Sequence, residues 1–557
     1  MCAGTIHAPA TLSQDRQTLT RADRPTNKPN RRYSQRKILR LNFNHSYWDR
    51  FSRARAAGCD AQRSAGGSSN CGTGSALRCQ RVSRVIIDAP RWLLLGALVF
   101  APWAYGSTAP WAIHTLQVWL GAIGVLWVSV AILRKQVPSL PKSVLIASGF
   151  LLAQGWWMVA NAKHDFPTSD GITSGFHPES LHPWWDWAPG SVHRALSLAT
   201  MIKTTVLLGT LLMICDLAQR TTWRKRLWWT MAGTGASIVL LGIIQRMTSA
   251  QAIFWTGGKI PEHFFATFRN FDNAAAFLNV VWPLLAGLFV LELRKIGRLW
   301  QKMGLGLGAA LCLCGVLVSG SRTASLLAVL MLLAWMTWIG VLLAKRELGA
   351  VQPATVIVSG VLVLLLLGAL AVMAGHDLSW QRWSQFEQQL TASNSRLLAY
   401  RACLGMMPES GWWGFGPGTF QTAFPHFTHE FGKQIGGRWI YAHQDYLQTI
   451  VEWGYVGAAA WAVLLVGGAR TALARTLRHR RDLSLVDRVT LASFLSALLG
   501  ALLHALVDFP LQVASIQLYV VVLLGMLWTS RYWLALPEKR SSHQRAMRPA
   551  MEIHMAP

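Results

Sequence analysis

Twelve apolar stretches, most of them near the length a helix needs to cross a bilayer, constrain this chain more than any other feature. They run over 91–106, 111–133, 143–160, 195–215, 227–245, 272–292, 303–320, 323–344, 354–374, 441–467, 486–507 and 511–531. About 20 apolar residues cover roughly 30 Å of hydrocarbon as helix, and backbone in lipid must satisfy its own hydrogen bonds. The expected fold is therefore an all-α polytopic membrane protein with about 12 transmembrane helices, the first of them short. Composition agrees: 52% of the residues are hydrophobic and only 14% charged, against about a quarter charged in soluble domains. Trp103, Trp111, Trp228, Trp229, Trp282 and Trp380 lie near span ends, where interfacial aromatic belts form.

The net charge of +28 would point to nucleic acid in a soluble protein. Here the first 91 residues hold 17 Lys/Arg against 5 Asp/Glu. The remaining cations gather in alternate connections: Arg134/Lys135/Lys142, Arg220/Arg224/Lys225/Arg226, Arg294/Lys295/Arg298/Lys302, Lys345/Arg346, Arg470/Arg475/Arg478/Arg480/Arg481 and Lys539/Arg540. All six clusters fall on the side of both termini, which the positive-inside rule makes cytoplasmic. Membrane topology thus accounts for the charge, and no nucleic-acid partner is expected.

Residues 1–90 lack hydrophobic period and a signal-peptide core, so they are expected to be a disordered basic cytoplasmic tail. The expected organisation continues with N-terminal membrane helices (91–374), a large external loop (375–440), C-terminal membrane helices (441–531) and a second cytoplasmic tail (532–557). No inverted repeat of the kind that builds many transporters is found. The eight cysteines form no C-x-x-C pair, and Cys403 is expected to be a small buried residue.

The polar island from Gly375 to Tyr441 ends at His443, where the chain re-enters the membrane. Four arginines stand on this disfavoured side: Arg269, Arg322, Arg396 and Arg401. Guanidinium forks grip phosphate oxygens, so they are candidates for holding a lipid pyrophosphate, although a lone Arg also snorkels to headgroups. His443 is the candidate catalytic group, because imidazole takes or orients a hydroxyl proton near neutral pH. Glu452 and Lys203 are ionisable groups inside spans, and such groups are functional or paired. His504 and Asp508, four apart, share a helix face and can pair. The turn Gly414-Phe415-Gly416-Pro417-Gly418 could bring N–H groups to an anion, but it lacks the Lys-Ser/Thr of a nucleotide loop. His426-x-x-His429-Glu430 and the scattered His164, His177, His182 and His193 match no zinc signature, so no metal is expected.

Three segments together resemble the O-antigen ligase/polymerase family of surface-polysaccharide enzymes. They are Thr267-Phe268-Arg269-Asn270-Phe271-Asp272-Asn273, the hairpin Ser319-Gly320-Ser321-Arg322, and the run from Arg396 through Arg401, Gly414–Phe420 and His443-Gln444 to Glu452-x-Gly454. His504-x-x-x-Asp508-Phe509-Pro510 is also similar to many members. Gln444 stands where the family usually has Asn, and Ala266 where it usually has Gly. The resemblance covers roughly 91–531. It implies a GT-C-like membrane glycosyltransferase using an undecaprenyl-pyrophosphate-linked glycan donor at the periplasmic face, without cofactor. Carried over by position, Arg269, Arg322, Arg396 and Arg401 would hold the pyrophosphate and His443 would activate or orient the acceptor hydroxyl, with Asn273, Gln444, Glu452, His504, Asp508 and Lys203 in support.

The expected reaction is glycan transfer in the bacterial inner membrane, to lipid A–core in a ligase or to a growing polysaccharide in a polymerase. A lipid-linked oligosaccharide flippase or polysaccharide exporter is the rival from another class. It would explain the spans but has no use for a large external loop closed by a histidine.

Overall fold

The computed structural model describes residues 73–166, 168–169, 172–173, 179–256, 264–295, 298–348, 368, 395–435, 437–479 and 482–534. Residues 79–557 make one compact unit, and the other comprises residues 1–78, of which only Thr73–Arg78 is described. The expected ninth span, 354–374, the early part of the island and Trp380 lie outside the described residues, apart from Gly368.

The described elements are helical apart from four two-residue strands. The helices are α1 (Thr73–Trp103), α2 (Pro110–Leu133), α3 (Lys142–Ala160), α4 (Arg194–Leu217), α5 (Thr221–Met247), α6 (Phe271–Leu293), α7 (Leu299–Ser319) and α8 (Arg322–Ala344). After these come α9 (Ser395–Ser410), α10 (Phe420–Ala423), α11 (Asp445–Arg478), α12 (Leu485–His504), α13 (Ala514–Trp528) and α14 (Ser530–Trp533). Nine of the described helices are long and apolar enough to cross a membrane, by length and composition, and α13 is a shorter apolar helix. The paired strands are β1 (His164–Asp165) with β4 (Glu179–Ser180), and β2 (Thr168–Ser169) with β3 (Ile172–Thr173), both antiparallel.

Two expectations need correction. Helix α1 begins at Thr73, so residues 73–90 continue the first apolar span as helix instead of ending a structureless tail. Trp282 and Trp228 are not belt residues, for they are 1% and 3% exposed. Trp228 donates its indole N–H to Leu284 O at 3.0 Å, whereas Trp111 and Trp229 are exposed as a belt requires.

Helix α6 is the core of the bundle. Its apolar window is 83% buried, and it packs most extensively against α7 and α12. Lipid tails are as apolar as leucine, so helices in a bilayer associate through close packing and small residues. Helix α6 meets that need with Ala274-Ala275-Ala276, all but fully buried. It approaches α5 so closely that a Cβ at Gly235 would stand 2.2 Å from Val281 Cγ1.

The connections sort to two ends. At one end Gln219 donates to Ser139 O, Arg488 pairs with Glu347, and Arg224 lies 4.3 Å over the Trp533 ring. These contacts join connections that carry the basic clusters. At the other end Thr267 Oγ1 donates to Pro102 O at 2.6 Å, Ser515 to Gly106 O at 2.7 Å, and Val192 N–H to Phe415 O at 2.9 Å. The island packs here through its own small core of Ala399, Cys403, Met406, Phe420 and Phe424. Cys403 is fully buried and its thiol is pushed up to about 12 by that burial.

Candidate active site

The site forms where the island runs into α11. His443 has φ +53°, a left-handed conformation that costs a non-glycine residue about 1–3 kcal/mol unless its surroundings hold it. They do. The Tyr400 hydroxyl donates to His443 O at 2.7 Å, and Gln448 Oε1 accepts from Ala442 N–H at 3.1 Å. Gln444 Oε1 caps α11 by accepting from Leu447 N–H, the duty of an N-cap residue. The imidazole then stands between the edges of Trp439 and Phe509, at centroid distances of 5.6 and 4.8 Å.

Nδ1 of His443 lies 3.0 Å from Oδ1 of Asp508. Burial would raise the Asp508 carboxyl, but the hydrogen bond to His443 and the nearby His504 and Arg396 outweigh it. Together they hold it below the usual carboxylate range. An ionised carboxylate only accepts, so Nδ1 carries the proton and Nε2 presents a lone pair. Among the described residues nothing hydrogen-bonds Nε2, and the side chain is 27% exposed. This is the geometry of a general base aimed at solvent space. His504, 1% exposed, lies 3.8 Å from the second Asp508 oxygen, so the two meet on one face as the i, i+4 spacing suggests, beyond hydrogen-bond distance, while His443 makes the closer contact.

Four segments distant in sequence converge here. Asp272, in the first turn of α6, lies within electrostatic range of Asp508, His504 and Arg396. That range links the 267–273 motif, α9, the 504–508 segment and the His443 group. The motif enters α6 through a tight Phe265–Phe268 bridge with Ala266 at φ +52°, a left-handed position that favours glycine. Asn270 caps α6 by accepting from Asp272 N–H at 2.7 Å, and Asn273 is buried one residue on. Arg322 opens α8 half-buried, next to the buried Ser321, after Gly320 turns the chain at φ +80°.

The four arginines divide. Arg396 is half-buried and acts on Asp508, Asp272 and Tyr400. Arg269 is exposed, its guanidinium 5.9 Å from the Tyr105 ring. Arg401 is not brought to the group. Five residues on a helix turn it about 140° from Arg396, and it lies with Leu397 and Leu404 on the exposed face of α9.

Glu452 has a different part from the one its intramembrane position suggests. At Gly454 (φ +66°, ψ −177°) the α11 backbone breaks its helical pattern. The carbonyls freed at Val451 and Glu452 accept from Phe415 and Gly416 N–H, both at 3.0 Å. Beyond the break, Tyr455 and Val456 N–H reach Gly411 and Trp412 O. The Glu452 carboxylate accepts from Gly418 N–H at 3.0 Å, Phe420 N–H at 3.3 Å and Gln448 Nε2 at 2.9 Å. The glycine turn does cradle an acceptor, but that acceptor is the Glu452 carboxyl of its own chain. Lys203 lies within electrostatic range of Glu452 and Asp445 inside the bundle.

Three site residues escaped the sequence reading: Tyr400, Asp272 and Asp445. Tyr400 stands four after Arg396, the spacing of a shared helix face. Asp445 is 1% exposed and accepts from Leu511 N–H and Gln512 Nε2, both at 2.9 Å, while its own N–H donates to Ala505 O. It thereby pins the 505–512 segment, and with it Asp508, to the start of α11.

In this multi-pass helical membrane protein the connections at one bundle end gather a buried carboxylate, a histidine with one free nitrogen and an arginine, groups able to exchange a proton and to meet an anion. Residues 307–462 match the family model described as O-antigen ligase (Wzy_C), a stretch similar to that family. The match spans Arg322, Arg396, Arg401, His443, Gln444 and Glu452, and stops short of Arg269, His504 and Asp508. The family supports activity of the O-antigen ligase or polymerase type, a membrane glycosyl-transfer chemistry using lipid-linked glycans. No curated protein matches the chain.

Proposed function

We propose that this protein transfers a glycan from an undecaprenyl-pyrophosphate-linked donor to an acceptor hydroxyl at the periplasmic face of the bacterial inner membrane, as an O-antigen ligase with lipid A–core as acceptor. The observation that carries this reading is the His443–Asp508 pair beside Arg396. Asp508 holds the imidazole with Nε2 outward, so Nε2 takes the proton of the acceptor hydroxyl as its oxygen attacks the anomeric carbon. The C–O bond to the pyrophosphate breaks, and the departing lipid pyrophosphate carries the electron pair. Arg396, with Arg322 and Arg269 at the same end of the bundle, meets that charge. The leaving group is already activated, so positioning and charge stabilisation suffice for the step. Removing one such charge donor typically costs about a hundredfold to a thousandfold in turnover. The same active-site chemistry would serve a polymerase, in which the acceptor is a growing chain. The GT-C-like character and the count of about 12 spans stand with this reading.

The test is transfer of lipid-linked glycan to lipid A–core by purified wild-type protein and His443→Ala, with lipopolysaccharide ladders in cells as the second readout. Full ladders from a stably inserted His443→Ala variant would end the proposal. Vesicles that translocate labelled donor without any covalent product would favour the flippase instead.

A further inference from the structure

The connection between α3 and α4 carries three tryptophans that packing leaves bare. Trp184, Trp185 and Trp187 are 71%, 52% and 84% exposed. Trp185 stacks on Trp157 of α3 at 5.1 Å and 28°, and Trp187 stacks on Trp185 at 6.2 Å and 22°. Trp184 meets the Trp157 edge at 6.5 Å and 87°. The result is a short stair of near-parallel indole faces whose outermost member is almost wholly open. Exposed apolar groups gathered in one place mark an interaction surface more often than a packing accident.

The backbone beneath is rigid. Asn161, fully buried, accepts from Trp185 N–H at 3.0 Å and donates Nδ2 to the carbonyls of Trp185, Ala188 and Pro189 at 3.1–3.2 Å. The Trp157 indole N–H donates to Pro189 O at 3.1 Å. A close approach at Gly190, where a Cβ would stand 1.9 Å from Asn161 O, locks the exit. The segment then joins the glycine turn of the island, Val192 N–H donating to Phe415 O at 2.9 Å. The platform is therefore held in place before any ligand arrives, which lowers the ordering cost of binding.

We infer that Trp185 and Trp187, with Asp186 between them, form a carbohydrate-binding platform for the sugar rings of the lipid-linked glycan, outside the His443 site. The inference deepens the glycan-transfer reading and rests on it for the ligand class. The chemistry fits in two respects. The negative π-face of an indole attracts the polarised C–H groups on one face of a pyranose. Carboxylates accept from sugar hydroxyls in plane with the ring, and Asp186 is exposed between the two open indoles, with Glu179 and His182 exposed on the same connection. The rival occupant is the bilayer interface, where tryptophans also gather. Carboxylates among the rings argue against it, because they would face lipid phosphates.

The experiment uses full-length protein in nanodiscs and, as probe, the repeating-unit oligosaccharide released by mild acid from the source cell's own surface polysaccharide. Saturable binding is read by tryptophan fluorescence and calorimetry. Trp187→Ala and Trp185→Ala are expected to weaken binding about tenfold, the loss of one ring contact. Asp186→Asn should weaken it less, and Trp300→Ala, an exposed tryptophan at the opposite end of α7 from the Ser319 hairpin, should leave it unchanged. Trp187→Phe should restore part of the affinity. Absence of binding by wild-type protein, equal binding by the alanine variants, or quenching of these tryptophans by brominated phospholipid with no response to oligosaccharide would each overturn the platform. His443→Ala keeps the two questions apart: it should bind the oligosaccharide normally, whatever becomes of transfer.

Discussion

Asp508 decides the state of His443, so its replacement is the sharpest residue-level experiment. Asp508→Asn keeps the shape but offers an amide, which lets the imidazole take the wrong tautomer and present N–H outward. Turnover in the transfer assay should fall about a hundredfold or more, with membrane abundance unchanged. The arginines separate in the same assay. Arg396→Ala should lose about a hundredfold, whereas Arg401→Ala, on the exposed face of α9, should lose under about tenfold. A third residue reports on stability. His193 Nδ1 bonds Thr422 Oγ1 at 2.9 Å, and its Nε2 lies 3.6 Å from Asp165 Oδ1. Burial lowers its pKa below the ordinary 6.5, against a smaller opposing effect of Asp165. The unfolded chain therefore binds the proton first, and stability that is complete above about pH 6.5 declines as pH falls below it. Melting curves from pH 8 to 5 should show that decline in wild-type protein and a flatter one in His193→Gln.

At the scale of elements, the break in α11 joins the island to the bundle. Four backbone groups in the Val451–Val456 stretch pair with residues 411–416, and the Glu452 carboxylate closes the turn. Gly454→Ala forces a left-handed residue to carry a Cβ 2.3 Å from Trp412 O. It should lower the melting midpoint by several degrees and expose the island to limited proteolysis. Glu452→Gln should do the same more weakly, because its amide nitrogen cannot accept one of the two N–H groups that the carboxyl oxygens accept, a loss of about 1–3 kcal/mol. Asn270, Gly320 and Gln444 were visible in the sequence as motif residues, but that they cap α6, α7 and α11 came from the structure. The break was not visible there, because a glycine inside an apolar run reads as helix until its backbone partners are known.

For the molecule as a whole, sidedness is the prediction that matters. Phe427→Cys should react with an impermeant maleimide in spheroplasts, and His479→Cys only after permeabilisation. Labelling in the reverse sense would place the His443 site in the cytosol and remove the basis for a periplasmic donor. The apolar spans carried the architecture because length and composition alone satisfy the bilayer. Eleven of the twelve expected spans overlap a helix among the described residues, nine of these helices being long and apolar enough to cross a membrane, and the ninth expected span, 354–374, lies outside the described residues apart from Gly368.

Periodicity, charge asymmetry and short motifs were enough to establish a helical membrane protein, its basic connections and the identity of His443, Arg396 and Asp508 as candidates. Those are local or summed properties, written in the order of residues. Which cation stands by Asp508, which nitrogen of His443 is free, and that the glycine turn embraces Glu452 were decided only by the fold. Each depends on distances between segments 32 or more residues apart, from Phe420 and Glu452 to His443 and Asp508 at 65, or on a helix face that spacing alone leaves ambiguous.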